Sequence, residues 1–585
     1  MRIPLWSWAQ TANWFELSKP AISTGLWIGL RHHALLQVDK ACAPVWGGRP
    51  GRDLRPLKQN CSANLERIES NNHFFCYTSG RWLYNEPLQL KKRYVRFNVP
   101  ALQQIAGRIA SSRCVEMTKI PEGLYNKVFS LRMENGREIL ARIPNPNAGH
   151  PQRVVASEVA TLDFLRNVLD IPVPRVLSWS SPSQPNPVGA EYIFMERVKG
   201  RQLSEVWGAM SEAQHFGLVK SLVEIEQKLV DVKFALHGSL YYKSTCYRGR
   251  NVVDPTEPTN EVTSDFVIGP TTQRSFWEDE KGELDIDRGP WGTAQEYLSS
   301  VANREIAVIQ NLGPSRSSNT SVVLGKTQQG RDEHVHLLEQ FLRVLPHILP
   351  PQETLRPALL HHDLHSDNIF VDSSDPTKIS SIIDWQAVYT APLFLQAKFP
   401  SIFDCDDPYP WGAVQPKLPK DFDTLSQSEK ELAEDTLVRL RLKKFYELAS
   451  RKFNQPLVMA MDAMRNDDDP TTFIFHIVGQ SSQDGPVPLK ELLIQIYEKW
   501  DQIMERRGLA TPCPISFSKD EIDKSRQQVK EWADAYGEFE SLRTDIVGKD
   551  GWVSHEEYGE AMRRWDNNRA TLEILQERLD KLLLQ

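Results

Sequence analysis

The run LLHHDLHSDNIFVD at residues 359–372, followed by SIIDWQ at residues 381–386, leaves this chain few ways to fold. Two aliphatic residues lead into His361-His362-Asp363, Asn368 follows five residues after that Asp, and Ile369-Phe370-Val371 is β-prone. Asp384 ends a second β-prone run, Ile382-Ile383. The pattern reads as a short strand, a polar loop and a two-stranded hairpin that delivers a second carboxylate. Phosphoryl transfer explains why these residue types are wanted. A hydroxyl or amine nucleophile needs a carboxylate beside it to orient it and accept its proton, which Asp363 can do. The triphosphate of ATP needs Mg²⁺, a hard cation that takes oxygen ligands, and Asn368 and Asp384 can supply them. His361 suits a structural hydrogen bond within the loop, with His365 a second structural group.

Two other readings use the same letters. His361 and His365 are four apart, which on a helix would put them on one face as metal ligands of a hydrolase. Asp and Asn are also ordinary turn formers. The flanking hairpin pattern and the second Asp favour phosphoryl transfer.

At 585 residues the chain is long enough for roughly two to four domains. A net charge of −7 and the lack of a long basic stripe argue against a nucleic-acid binder. The seven cysteines are scattered, with no C-x-x-C pair, which points to reduced thiols rather than a disulfide framework. No stretch approaches the ~20 apolar residues of a membrane span.

Residues 1–60 hold eight Lys or Arg against three acids, the pattern of a mitochondrial presequence or of a disordered basic extension. Residues 61–113 form a lead-in whose aromatic, basic part, 74–97, could dock on the body of the protein or on a protein partner; residues 99–110 have helical spacing. A β-rich lobe with hinge is expected over 114–200, with strands at 114–119, 127–134 and 137–143 and a hairpin signal at Asn135-Gly136. The turn from Gly123 to Asn126 can offer backbone N–H groups to phosphates, although one glycine alone does not separate it from a plain hairpin turn. Arg142 in ILARIP can pair with phosphate oxygens, and Glu158, on the helical stretch ASEVATLDFL, is its ion-pair partner; the alternative is a surface salt bridge. The buried run before Glu196 ends in a polar link to Gly200, a hinge in which main-chain groups of Glu196 to Val198 can meet an adenine. Residues 201–510 read as a helical lobe with a Thr-, Asn-, Pro- and Gly-rich insert at 238–289. Asp404, Asp406 and Asp407 form an acidic loop, read as solvated surface. Residues 511–585 read as a charged helical extension interrupted at 548–551, a second place for a protein partner.

Taken together, the Asn126 turn, Arg142, Glu158, the Glu196 hinge, H-x-D-L-H-x-x-N and I-D-W resemble the aminoglycoside phosphotransferase and choline kinase superfamily over about residues 119–500. The loop spacing is also that of the kinase catalytic loop H-x-D-x-x-x-x-N with a later Asp in the D-F-G position. The resemblance implies a bilobal protein-kinase-like α+β fold, ATP and Mg²⁺ as cofactors, and a small-molecule acceptor. Where the superfamily commonly has glycine in HGDLH this chain has His362, and Ser366-Asp367 replaces Pro-Gly; neither change removes a catalytic group. More narrowly, YTSGRWLYNE, PEGLYNKVF and DRGPWGTAQEYL are similar to the fungal altered inheritance of mitochondria 9 family, which implies a mitochondrial location but no substrate. A nucleotide-binding pseudokinase or scaffold for mitochondrial maintenance is the alternative function.

Overall fold

The computed structural model describes residues 71–181, 186–245, 265–312, 328–404, 409–465, 469–546 and 551–582. The basic start at 1–60, Cys42, Cys61, Cys246, Cys405, Asp406 and Asp407 lie outside them, as does the middle of the 238–289 insert. Cys76, Cys114 and Cys513 are free thiols. No helix among the described residues is long and apolar enough to cross a membrane.

Short helices at Asn72–Phe75 and Glu86–Lys92 flank strand β1 (Arg81–Trp82), and helix α1 (Val99–Ala110) follows. The Asn98 side chain accepts from Ala101 N at 3.1 Å, capping α1, and Leu102, Ile105 and Ala106 line its buried face. Five strands follow as one antiparallel sheet of the small lobe: β2 (Cys114–Ile120), β3 (Asn126–Met133), β4 (Glu138–Pro144), then β5 (Val176–Ser180) and β6 (Tyr192–Glu196), in spatial order β2-β3-β4-β6-β5. Gly136, at φ +80°, turns β3 into β4 as expected of Asn-Gly. Helix α2 (Arg153–Asp163), which carries Glu158, lies between β4 and β5 in the chain and buries its residues Val154 to Leu162. Its other side is covered by a hairpin of β8 (Ser239–Tyr242) and β9 (Phe266–Gly269). The insert expected as a loop therefore contributes a buried hairpin, because Phe266, Val267 and Ile268 need an apolar partner.

The outer face of the sheet has its own core. Phe74, Phe97, Val99, Leu102, Phe129, Leu131 and Ile139 pack together there, so the aromatic lead-in docks on the body of the protein.

Between the lobes runs β7 (Arg201–Gln202), paired antiparallel with β11 (Ile369–Val371), which pairs in turn with β12 (Ile379–Ile382). Gly200 makes this possible: at φ +100° a Cβ would sit 2.2 Å from the Val371 carbonyl. The large lobe is helical, with α3 (Glu212–Asp231), α4 (Ala294–Asn311), α5 (Gln328–Ile348), α6 (Gln427–Phe453) and α7 (Pro486–Glu498). Ser211 with Gln214, and Thr293 with Glu296, form capping boxes that start α3 and α4.

The C-terminal extension is a pair of helices, α8 (Lys519–Ile546) and α9 (Tyr558–Leu582), and α8 packs on α7. Between them β14 (Trp552–Val553) pairs with β1. Tyr84 stacks on Trp565 at 5.0 Å, the Arg81 guanidinium lies 3.7 Å over the Tyr558 ring, and His555 Nε2 is 3.1 Å from the Thr78 carbonyl. The two segments expected to be available to a protein partner thus use much of this surface on each other.

Candidate active site

The loop between β10 (Pro357–Leu359) and β11 is tied by its own histidines. The Asp363 N–H donates to His361 Nδ1 at 3.2 Å, which leaves the proton on Nε2 to donate to the Ile383 carbonyl at 2.9 Å. His361 also packs edge-on against Trp385 at 4.6 Å. Burial holds its pKa below the usual histidine range despite the nearby Asp384 and Asp363 charges, so the ring is a neutral brace between the loop and the end of the hairpin. His365 behaves in the opposite way. Burial would lower its pKa, but the carboxylates of Asp363, Asp367 and Asp384 outweigh it and raise it. The two rings therefore face different partners and do not share a metal, and no cluster of three or more His, Cys, Asp or Glu among the described residues is arranged to hold one.

Asn368 is buried, and its Nδ2 donates to the Asp363 carbonyl at 2.9 Å and lies 3.0 Å from His365 Nε2. The amide nitrogen is committed inward, which leaves Oδ1 as the atom that could meet a cation. Its own carbonyl accepts from Ile383 N at 2.9 Å, placing the residue before Asp384 against the loop. Asp384 has φ +65°, a conformation that Asp tolerates better than most side chains, and its side chain is 45% exposed. Asp363 is 27% exposed. The set of two carboxylates and an amide oxygen is the hard-oxygen chemistry that fits Mg²⁺.

The small lobe contributes Arg142 from β4, ion-paired with Glu158 of α2, and Arg142 Nη1 is 3.9 Å from Asp384 Oδ1. This is a buried pair rather than a surface salt bridge. Burial lowers the Arg142 pKa to about 10, partly offset by Asp384; the group stays charged at neutral pH.

The turn and hinge residues have these surroundings. The Asn126 side chain makes a reciprocal amide pair with Gln386, Nδ2 to Oε1 at 2.9 Å and Nε2 to Oδ1 at 3.0 Å. Gln386 follows the Asp-Trp pair directly, yet nothing in its letter marks the partner 260 residues away. Gly123 is exposed and a Cβ there would meet nothing within 4 Å, so no contact within the chain calls for glycine. The Glu196 N–H donates to the Arg175 carbonyl at 3.0 Å, inside the sheet, whereas Val198 lies beyond the strand end. A cavity of about 470 Å³ lies between α2 and β5, lined by Val159, Arg166, Trp179 and Tyr242 among others and by none of the catalytic-loop residues.

The model of the phosphotransferase enzyme family matches residues 116–262 and 316–394, which include Arg142, Glu158, Asp363, Asn368 and Asp384. A subtelomeric hrmA-associated cluster protein of Aspergillus fumigatus is 33% identical over 450 residues, covering 72% of this chain and 85% of that protein. The chain belongs to the phosphotransferase enzyme family. Altered inheritance of mitochondria protein 9 of Yarrowia lipolytica is 23% identical over 536 residues, covering 84% of this chain and 86% of that one. Among solved structures, the streptomycin-ATP-APH(2'')-IIa ternary complex is 11% identical with a TM-score of 0.33, covering 72% of this chain and 98% of that chain. Within the phosphotransferase family the fold is the α+β, bilobal, protein-kinase-like one. The family match breaks between residues 262 and 316, so β9 and the segment after it lie outside the matched stretches.

Proposed function

We propose that this phosphotransferase moves the terminal phosphoryl group of ATP to a hydroxyl or amine of a small molecule. The observation that carries the reading is the convergence of Asp363, Asn368 and Asp384 with the Arg142–Glu158 pair, 3.9 Å from Asp384, between the two lobes. Asp363 orients the acceptor and takes its proton, and the acceptor oxygen or nitrogen attacks the terminal phosphorus as the bond to the departing nucleoside diphosphate breaks. Asn368 Oδ1 and Asp384 hold Mg²⁺, which when bound neutralises charge on the triphosphate. Arg142, kept in line by Glu158, faces phosphate oxygens, while main-chain groups at Val198 meet the base. His361 fixes the distance between the Asp363 loop and Asp384. A mitochondrial location is supported by the Yarrowia relative, named as a mitochondrial protein, and by the acid-poor basic residues 1–60.

The test is transfer of labelled γ-phosphate from ATP into a fungal mitochondrial metabolite extract with Mg²⁺, comparing the protein with Asp363→Ala. A labelled product that drops by about 10²-fold or more in the variant is expected, the usual scale for a lost general base. Equal labelling in both would sink the assignment of Asp363, and no labelling with ATP binding intact would leave a nucleotide-binding scaffold.

A further inference from the structure

The insert that breaks the family match returns to the active site through one residue. Arg274 follows β9, and its guanidinium lies 3.7 Å over the ring of Tyr125, in the turn that precedes β3. Three segments close a ring here. Tyr125 adjoins Asn126, Asn126 is paired with Gln386, and Gln386 is two residues from Val388, whose carbonyl lies 3.5 Å from Thr272 Oγ1. Thr272 is two residues from Arg274. Gln386 is itself two residues from Asp384. The insert, the small-lobe turn and the segment after the second carboxylate thus meet beside Asp384.

Besides its stack on Tyr125, Arg274 is held there by its neighbours. Gln273 Oε1 accepts from Tyr297 OH at 2.9 Å, and Ser275 Oγ accepts from Arg304 Nη1 at 2.8 Å, so both flanking residues are anchored to α4. The Arg274 Nε is buried and finds no hydrogen-bond partner among the described residues, and no carboxylate there pairs with the guanidinium. A buried donor without an acceptor is costly, and a planar guanidinium is best satisfied by two oxygens of one anion. A preorganised arginine beside the turn that leads into Asn126, with an unpartnered Nε, has the properties of an oxyanion receptor.

We propose that Arg274 binds the terminal phosphate of the nucleotide, reaching from the large lobe across to the small-lobe turn. The inference rests on the phosphotransferase reading of the Asp363 site and adds a phosphate ligand from outside the stretches the family shares. Because the large lobe supplies Arg274 and the small lobe supplies Arg142, a triphosphate is gripped from both sides, and a diphosphate from the Arg142 side.

The experiment measures binding of a non-hydrolysable ATP analogue and of ADP, each with Mg²⁺, to the full chain and to Arg274→Gln and Arg274→Lys. Arg274→Gln is expected to weaken the triphosphate analogue roughly tenfold or more, the scale of a lost charge-assisted hydrogen bond, while ADP is little changed. Arg274→Lys should recover only part of the loss, since an ammonium cannot make the forked contact. Equal weakening of both nucleotides, with a lowered melting temperature, would make Arg274 a clasp between lobes and overturn the proposal. Unchanged affinity for the analogue would overturn it too, and a loss of turnover at unchanged affinity would place the arginine on the acceptor instead. Should the unmodified protein bind neither nucleotide, the phosphotransferase reading itself fails and this one with it.

Discussion

Arg142 with Glu158, and Lys127 with Glu122 and Lys119, are buried ionic groups on neighbouring strands of one sheet. Val128 is the cross-strand partner of Arg142, so Lys127, one residue earlier, points to the opposite face. On the inner face Arg142 reaches an exit, since Asp384 beside it is 45% exposed. On the outer face there is none. Lys127 and Glu122 have fully buried side chains with Nζ and Oε1 3.4 Å apart, and Lys119, at 7% exposure, touches the other Glu122 oxygen as an ion pair rather than an aligned hydrogen bond. Lys119 also donates to the His73 carbonyl at 3.0 Å, and Glu122 N donates to Ser79 Oγ at 2.7 Å, which fastens the lead-in to the turn. A desolvated charge with an exit can be completed by a ligand, whereas a sealed one can only specify structure.

Removing the carboxylate on each face should separate the two. Glu122→Gln leaves two buried ammonium groups against a neutral amide, and a stability loss of about 3–5 kcal/mol is expected in urea unfolding. An unchanged midpoint would show that the outer cluster is not sealed. Glu158→Gln should instead lower kcat/KM for phosphoryl transfer on the order of a hundredfold per folded molecule, as Arg142 loses its alignment, while Glu122→Gln leaves that ratio nearly intact. Equal rate losses in the two variants would erase the distinction.

The smallest effect is in pH dependence. Burial lowers the Lys127 pKa from 10.5 to about 8, with Glu122 opposing the shift. Between those values the unfolded chain holds a proton that the folded protein has released, so this group's contribution to stability rises with pH across that window. Wild-type protein should therefore gain stability relative to Lys127→Met from about pH 8 upward, in paired denaturation series. A flat difference between them would mean that Lys127 keeps its proton in the fold.

What could be read from the letters was local. The H-x-D spacing, the hairpin ending in Asp384 and the Asn135-Gly136 turn all depend on residues within one or two turns of each other, and helix 99–110 appears where its periodicity places it. The Arg142–Glu158 pair was legible because a strand and the next helix have limited ways to meet. The partner of Asn126 was not, because a side-chain amide pairs equally well with many groups and Gln386 carries no periodic signal. The hairpin β8–β9 was hidden because its strands are four residues each and are separated by a polar stretch that dominates the composition. Arg274 was missed for a related reason: its significance comes from its stack on Tyr125 and an Nε without a partner among the described residues, which only the packed structure reveals.

Strand β1 reaches its partner only at Trp552 and Val553. During synthesis at roughly 5–20 residues per second, a newly made chain waits tens of seconds between the emergence of the two. Throughout that wait Trp82, later almost wholly enclosed, has no completed shelter. A strand made late thus completes one made early, and through Ser79 and Glu122 that junction is tied to the turn that precedes β3.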